Sequence, residues 1–243
     1  MTTGLLLLHG FLLDAEMWEP QVEGLHDALP VLAPNLPGFG GAPLAPRAGW
    51  TDAAADLAAE AVKRAGWDRA VVCGLSMGGY VAFSFWRRHK DLVAGLILAN
   101  TRAVPDGEAA AKGRLDLATR LRAEGNGFLA ASPPPLLGAQ ASPDLRLRLR
   151  GSIERQPAEA IARASEAMAD RVDSTPDLAG ITVPTLVITS SNDAVILPDV
   201  AKAMAAQIPG ATLVVIDGVG HMSNLEAPDE FNRLVREHLS RCQ

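Results

Sequence analysis

Cysteine is nearly missing from this chain: 243 residues contain only Cys73 and Cys242. Two thiols build neither a disulfide framework nor a multi-cysteine zinc site. Lysine is scarce as well, limited to Lys63, Lys90, Lys112 and Lys202, a bias towards arginine that carries no functional message. Positive charge is not in excess. The formal net charge of −6 excludes a broad nucleic-acid surface. Long apolar runs are missing too: Leu5 to Leu8 is cut off by His9-Gly10, and Met1-Thr2-Thr3 offers no basic leader. A bilayer span needs roughly 20 apolar residues. The expectation is therefore a cytoplasmic protein with no signal peptide and no membrane partner. Neither a His-x-His nor a His-Glu-x-x-His pattern occurs, and no Gly-Lys-Ser/Thr phosphate loop, so no metal or cofactor is expected.

What is present is ordinary globular material, 48% hydrophobic and 21% charged, long enough to bury a large core as one domain or one domain with an insert. Short apolar runs bounded by turn residues predict strands at Gly4–Leu8, Val31–Ala33, Ala70–Cys73, Gly95–Ala99, Thr185–Thr189 and Thr212–Ile216. Helical patterns lie between them. In Thr51 to Ala65, Ala55, Leu57, Ala58, Ala61 and Val62 share one face, and Gly66 supplies the stop. Gly78 to His89, Pro198 to Gln207 and Pro228 to Leu239 form three more. This alternation predicts an α/β fold: a mostly parallel sheet with right-handed crossovers and helices on both faces. Between 102 and 176 no strand run appears, and the composition is helical, interrupted by Pro133-Pro134-Pro135. That stretch exceeds a normal connection. It reads as a helical insert over the sheet's carboxyl edge, with 1–101 and 177–243 forming the core.

The sharpest local signal is Gly74-Leu75-Ser76-Met77-Gly78-Gly79, which follows an apolar run and precedes a helix. Strand, strained turn, helix is the order that lifts a serine hydroxyl above a sheet as a nucleophile. A dinucleotide-binding turn uses similar geometry. Here, however, Ser76 stands where its second glycine belongs, and Asn100 where its acid is expected.

A serine hydroxyl needs a base. Of the five histidines, His26, His89 and His238 sit on helical stretches among charged residues and are expected to be solvated. His9 directly follows the first strand. His221, in a Gly-Val-Gly-His loop beyond the last strand, is placed where open α/β sheets put ligands. A base in turn needs an acid to fix its tautomer. Asp193, beyond the neighbouring strand, is favoured over Asp217, which suits a turn, and Asp199, which suits a helix start. The chain order is Ser76, Asp193, His221. An oxyanion hole needs two N–H donors, each worth roughly 3–4 kcal/mol to the barrier. The candidates are Met77, next to the serine, and Phe11, with Gly10 expected to turn that loop inward. Leu12, Leu13, Val195, Ile196 and Met222 flank these positions and are the candidate pocket wall.

Together these residues resemble the α/β-hydrolase family with a helical cap. The likeness rests on Leu-Leu-His9-Gly10-Phe11, Pro37-Gly38-Phe39-Gly40, Gly74 to Gly79, Asn192-Asp193, Gly220-His221 and Glu226-Ala227-Pro228. It implies Ser76 as nucleophile, His221 as base and Asp193 as orienting acid. Serine at the elbow argues against members that use aspartate there. Family members usually carry one or two strands before the His-Gly strand. Three residues precede it here, which predicts a sheet of about six strands with Val31–Ala33 at an edge. A loop that often reads Asp-x-Arg-Gly-x-Gly-x-Ser reads Asn35 to Ala42 instead, removing a charged pair near the site. The cap matches no subfamily pattern.

The resemblance implies hydrolysis of small or medium carboxylic esters, acyl or aryl, through an acyl-enzyme. The alternative is a carboxylate-bearing ester or lactone, as in 3-oxoadipate enol-lactonases. Arg102, just beyond the fourth strand, would then pair with the substrate. The cap arginines Arg114, Arg120, Arg122, Arg146, Arg148 and Arg150 offer the same chemistry, though solvated helix faces account for them more simply. A non-catalytic ligand-binding member is the minor alternative. The expected partner is a small-molecule ester, and the chain is expected to be a monomer or homodimer.

Overall fold

The computed structural model describes residues 2–242. Its strands are β1 (Thr3–Leu8), β2 (Val31–Leu32), β3 (Arg69–Leu75), β4 (Val93–Ala99), β5 (Thr185–Ser190) and β6 (Thr212–Ile216). They form one sheet in the order β2-β1-β3-β4-β5-β6, parallel throughout. Leu5 to Leu8 are fully buried. Leucine prefers helices in isolation, but covering both faces of a central strand outweighs that preference at about 2 kcal/mol per side chain. β2 sits at one edge, as its flanking Pro30 and Pro34 predict. At the other edge β6 is half-exposed in alternation.

Helix α1 (Glu19–Leu25) follows β1, α2 (Trp50–Arg64) precedes β3, and α3 (Met77–Arg88) joins β3 to β4. Between β4 and β5 the chain is helical: α4 (Glu108–Glu124), α5 (Gly127–Ala131), α6 (Pro143–Arg155) and α7 (Ala158–Ala169). After β5 come α8 (Pro198–Ala205), then β6, α9 (Ser223–Glu226) and α10 (Pro228–Leu239). α1 has no sequence signal because Pro20 and Gly24 fall within its seven residues and obscure its periodicity. One reading is corrected. His238 is buried, not solvated, because α10 turns it onto the sheet with Leu234, Val235 and Leu239. Burial, reinforced by the Arg241 charge, pushes its pKa down to about 4. His89 is only partly exposed and pairs with Asp56 at 2.8 Å, while His26 stays exposed.

Candidate active site

β3 ends at Leu75 and α3 begins at Met77, leaving Ser76 alone in the turn at φ 55°, ψ −114°. That conformation is strained for any residue with a side chain and persists only where its surroundings enforce it. The surroundings here are backbone. A Cβ on Gly74 would lie 2.3 Å from the Gly78 carbonyl oxygen, and one on Gly78 would lie 2.0 Å from the Leu8 carbonyl oxygen. Glycine at both positions is what lets helix, turn and strand meet. The Ser76 N–H donates to Ala99 O at 3.0 Å, and its carbonyl accepts from the Thr101 hydroxyl at 2.8 Å. Its Oγ has no hydrogen-bond partner among the described residues and opens into a cavity that His221 also lines.

His221 Nδ1 and Asp193 Oδ2 are 2.8 Å apart, both side chains buried. The Asp193 carboxylate is held from every side. Oδ1 accepts from the N–H groups of Val195 and Ile196, each at 2.9 Å, and Oδ2 from Asn100 Nδ2 at 2.9 Å. Burial alone would raise its pKa. The His221 contact, the Ile196 N–H and Asn100 outweigh burial and hold it below the usual carboxylate value. The competing acids are elsewhere: Asp217 is exposed, and Asp199 is exposed and pairs with Lys202. Engagement of Nδ1 leaves Nε2 as the free ring nitrogen. No hydrogen bond joins it to Ser76 Oγ, and in substrate-free sites such bonds are often long and tighten on binding.

Among the described residues, neither the Phe11 N–H nor the Met77 N–H has an acceptor. The loop carrying Phe11 turns differently from the expectation. Gly10 has room for a Cβ, and the positive φ, 73°, belongs to Leu12. His9 pins the loop from beneath. Its Nδ1 bonds the Gly10 carbonyl at 2.9 Å, and its Nε2 accepts the Leu36 N–H at 2.9 Å. Both contacts suit a neutral ring, and burial lowers its pKa to about 4.

The shared cavity measures about 250 Å³. Phe11, Leu12, Arg102, Val195, Ile196 and Met222 line it, whereas Leu13 does not. Leu13 instead faces a separate groove of about 770 Å³ between α1 and α6, because the turn at Leu12 sends consecutive side chains apart. The helices between β4 and β5 close the cavity with Arg114, Leu117, Leu129 and Met168. Sequence reasoning missed Tyr80, Asn100 and Glu226. The Glu226 carboxylate accepts from Gly138 N at 2.8 Å and Gly220 N at 3.0 Å. It thereby ties the inserted segment to the His221 loop, as does the Met222 N–H on Leu136 O at 3.0 Å. Burial raises the Glu226 pKa, and those two N–H groups oppose it. Its only sequence signal is its place in Glu-Ala-Pro, just after the histidine. Among the described residues no group of three His, Cys, Asp or Glu could hold a metal ion, and no helix is long and apolar enough to cross a membrane.

Residues 5–234 match the model of a family described as the alpha/beta hydrolase family. The chain is 31% identical to a pimeloyl-[acyl-carrier protein] methyl ester esterase of Aromatoleum aromaticum, covering 96% of each. Among solved structures it resembles a thermophilic esterase from Thermogutta terrifontis with malate bound, at 40% identity and TM-score 0.94, over 100% of this chain and 92% of that one. The enol-lactonase of Burkholderia xenovorans aligns at 28% identity and TM-score 0.86, over 99% and 92%.

Proposed function

The chain belongs to the alpha/beta hydrolase family, and from that premise we propose that it is a serine hydrolase of carboxylic esters working through an acyl-enzyme. Ser76 Oγ attacks the ester carbonyl while His221 Nε2 takes its proton. Asp193 holds the ring by Nδ1 and stabilises the imidazolium that forms. The negative oxygen of the tetrahedral intermediate is received by the unpartnered Phe11 and Met77 N–H groups. The intermediate collapses as the imidazolium protonates the leaving alcohol. Water, activated by the same ring, then attacks the acyl-Ser76 ester, and collapse of the second intermediate releases the acid and restores the serine. The helices of 102–176 act as the cap, shaping the acyl pocket and excluding water.

The observation that carries this reading is the buried His221–Asp193 pair, whose imidazole lines the same cavity as a strained, unpartnered Ser76. The relatives named as esterases and lactonase support the reaction class. A fluorophosphonate probe should label Ser76, and purified protein should release nitrophenol from nitrophenyl butyrate. Absence of both overturns the proposal.

A further inference from the structure

We propose that the cavity beside Ser76 contains an anion subsite made by Arg102 and Arg114, so that the preferred substrates are esters bearing a carboxylate a few carbons from the scissile carbonyl. The inference rests on the hydrolase reading above and adds the charge of the substrate to it.

The starting point is Asp106, whose side chain is wholly buried. Arg102 Nη2 and Arg114 Nε both donate to it, and Arg171 Nη1 lies 2.8 Å from its Oδ1. One carboxylate therefore faces three guanidiniums. No other described carboxylate lies within ion-pair distance of any of them, so the cluster carries two uncompensated positive charges. Arg171 is the inner member. It stacks over the Tyr80 ring at 4.3 Å and donates to the Met168 and Val104 carbonyls.

Arg102 and Arg114 are the outer members, each about a quarter exposed, and both line the cavity. Each spends a single N–H on Asp106. A guanidinium carries five N–H donors in a planar fork suited to a carboxylate, and Arg102 Nε is buried without an acceptor. The placement is close to the chemistry, since Arg102 follows Thr101, whose hydroxyl holds the Ser76 carbonyl. Most of the remaining wall is apolar, with Leu117, Leu129 and Met168 among its residues. An apolar stem with an anionic end matches a cavity that joins an apolar wall to two guanidiniums. A staple holding the inserted helices to the sheet would need charge balance, whereas a three-to-one excess fits an anion that arrives with the substrate.

The test compares esters of equal carbon number in a pH-stat: monomethyl succinate, glutarate and adipate against methyl butanoate, pentanoate and hexanoate. At least one charged ester should exceed its neutral partner in kcat/KM by about tenfold or more, chiefly through KM, and the margin should shrink with added salt. Arg102→Met and Arg114→Met should each cut the charged-to-neutral ratio about tenfold, with lysine restoring part of it. Using the ratio cancels any general loss from a loosened insert. Free glutarate should inhibit neutral-ester turnover competitively in the unaltered protein. Neutral esters turned over equally well or better, with Ser76 still labelled by fluorophosphonate, would overturn the subsite and leave the hydrolase reading standing. Arginine variants that slow both series alike would also overturn it. Failure to turn over either series, with no labelling of Ser76, would remove both.

Discussion

The sheet with its elbow and the helices inserted between β4 and β5 are built by different forces. In the sheet, contact is backbone against backbone: Gly78 lies under the Leu8 carbonyl, and Ser76 N–H reaches Ala99 O. In the insert, α4 and α7 share an apolar seam, but much of the attachment to the rest of the chain is side-chain polar. Arg148 pairs with Glu19, Arg155 with Glu16 and Arg47 with Asp170, and Gln156 spans Asp14 and Gly40. A backbone-packed region tolerates almost no change of shape, whereas exposed ion pairs hold loosely and yield to salt. The reaction machinery proposed above sits on the first region, and the arginines proposed to select the substrate lie at the edge of the second.

The largest effect expected from this division is at Ser76. Ser76→Ala should lower kcat by roughly 10⁴-fold or more while leaving the thermal unfolding midpoint within a few degrees, since the hydroxyl has no partner to lose. Substantial turnover by that variant would remove the nucleophile from the sheet and erase the contrast.

Glycine substitution sharpens it next. Gly78→Ala puts a methyl 2.0 Å from the Leu8 carbonyl oxygen and should cost about 3 kcal/mol or more, or prevent folding. Gly113, inside α4, has nothing within 4 Å of an added Cβ. Gly113→Ala should therefore stabilise by about 0.5–1 kcal/mol through helix propensity alone. Urea midpoints of the two variants measure the comparison directly. Equal shifts would mean the two regions are not built differently.

Acid should act on the sheet region through His9 and His238. Each has a folded pKa of about 4 against 6.5 for the free side chain. A lowered histidine pKa means the unfolded chain binds more protons between those values, so stability is full above about pH 6.5 and falls as pH drops towards 4. The loss is on the order of 2–3 kcal/mol for each. For His9 it follows from burial, and protonation would also remove the acceptor of the Leu36 N–H. Asp193, with its depressed pKa, adds a loss only at still lower pH. A unit-by-unit pH series of thermal melts should show this slope. His9→Gln or His238→Gln should flatten it, and an unchanged slope in both variants would exclude these histidines as its source.

The same division explains what could be read from the sequence. The strands are legible as short apolar runs buried on both faces, and the Ser76 turn because glycine and serine at fixed spacing are demanded by backbone contact over a few residues. Asp193 and His221 were legible as residues beyond strand ends, since strand order alone brings such loops together. Asn100 and Glu226 were not, because their roles depend on partners at Asp193, Ser223, Gly138 and Gly220, contacts across the fold that leave no local pattern. His238 was misread for a related reason: its charged chain neighbours suggest solvent, and only the orientation of α10 buries it. The inward turn expected from Gly10 falls at Leu12 instead, where the loop is pinned from beneath by His9 rather than shaped by its glycine.

The smallest expected effect lies where the two regions are joined by exposed charge. Arg148 and Glu19 are 2.8 Å apart, with more than half of each side chain in solvent. Such a pair contributes about 0.5 kcal/mol, because water screens it and two long side chains must be held still. Arg148→Ala should therefore barely change global stability. Its effect should appear in local opening, since α6 is also tied there by the exposed Arg155–Glu16 pair. Amide exchange in α6 should quicken about two- to threefold in the variant, with β3 and β4 unchanged, and 0.5 M salt should bring the parent protein most of the way to the same rate. Equal acceleration in β3 would show that insert and sheet open as one unit, and the contrast drawn from their contacts would then not extend to their motions.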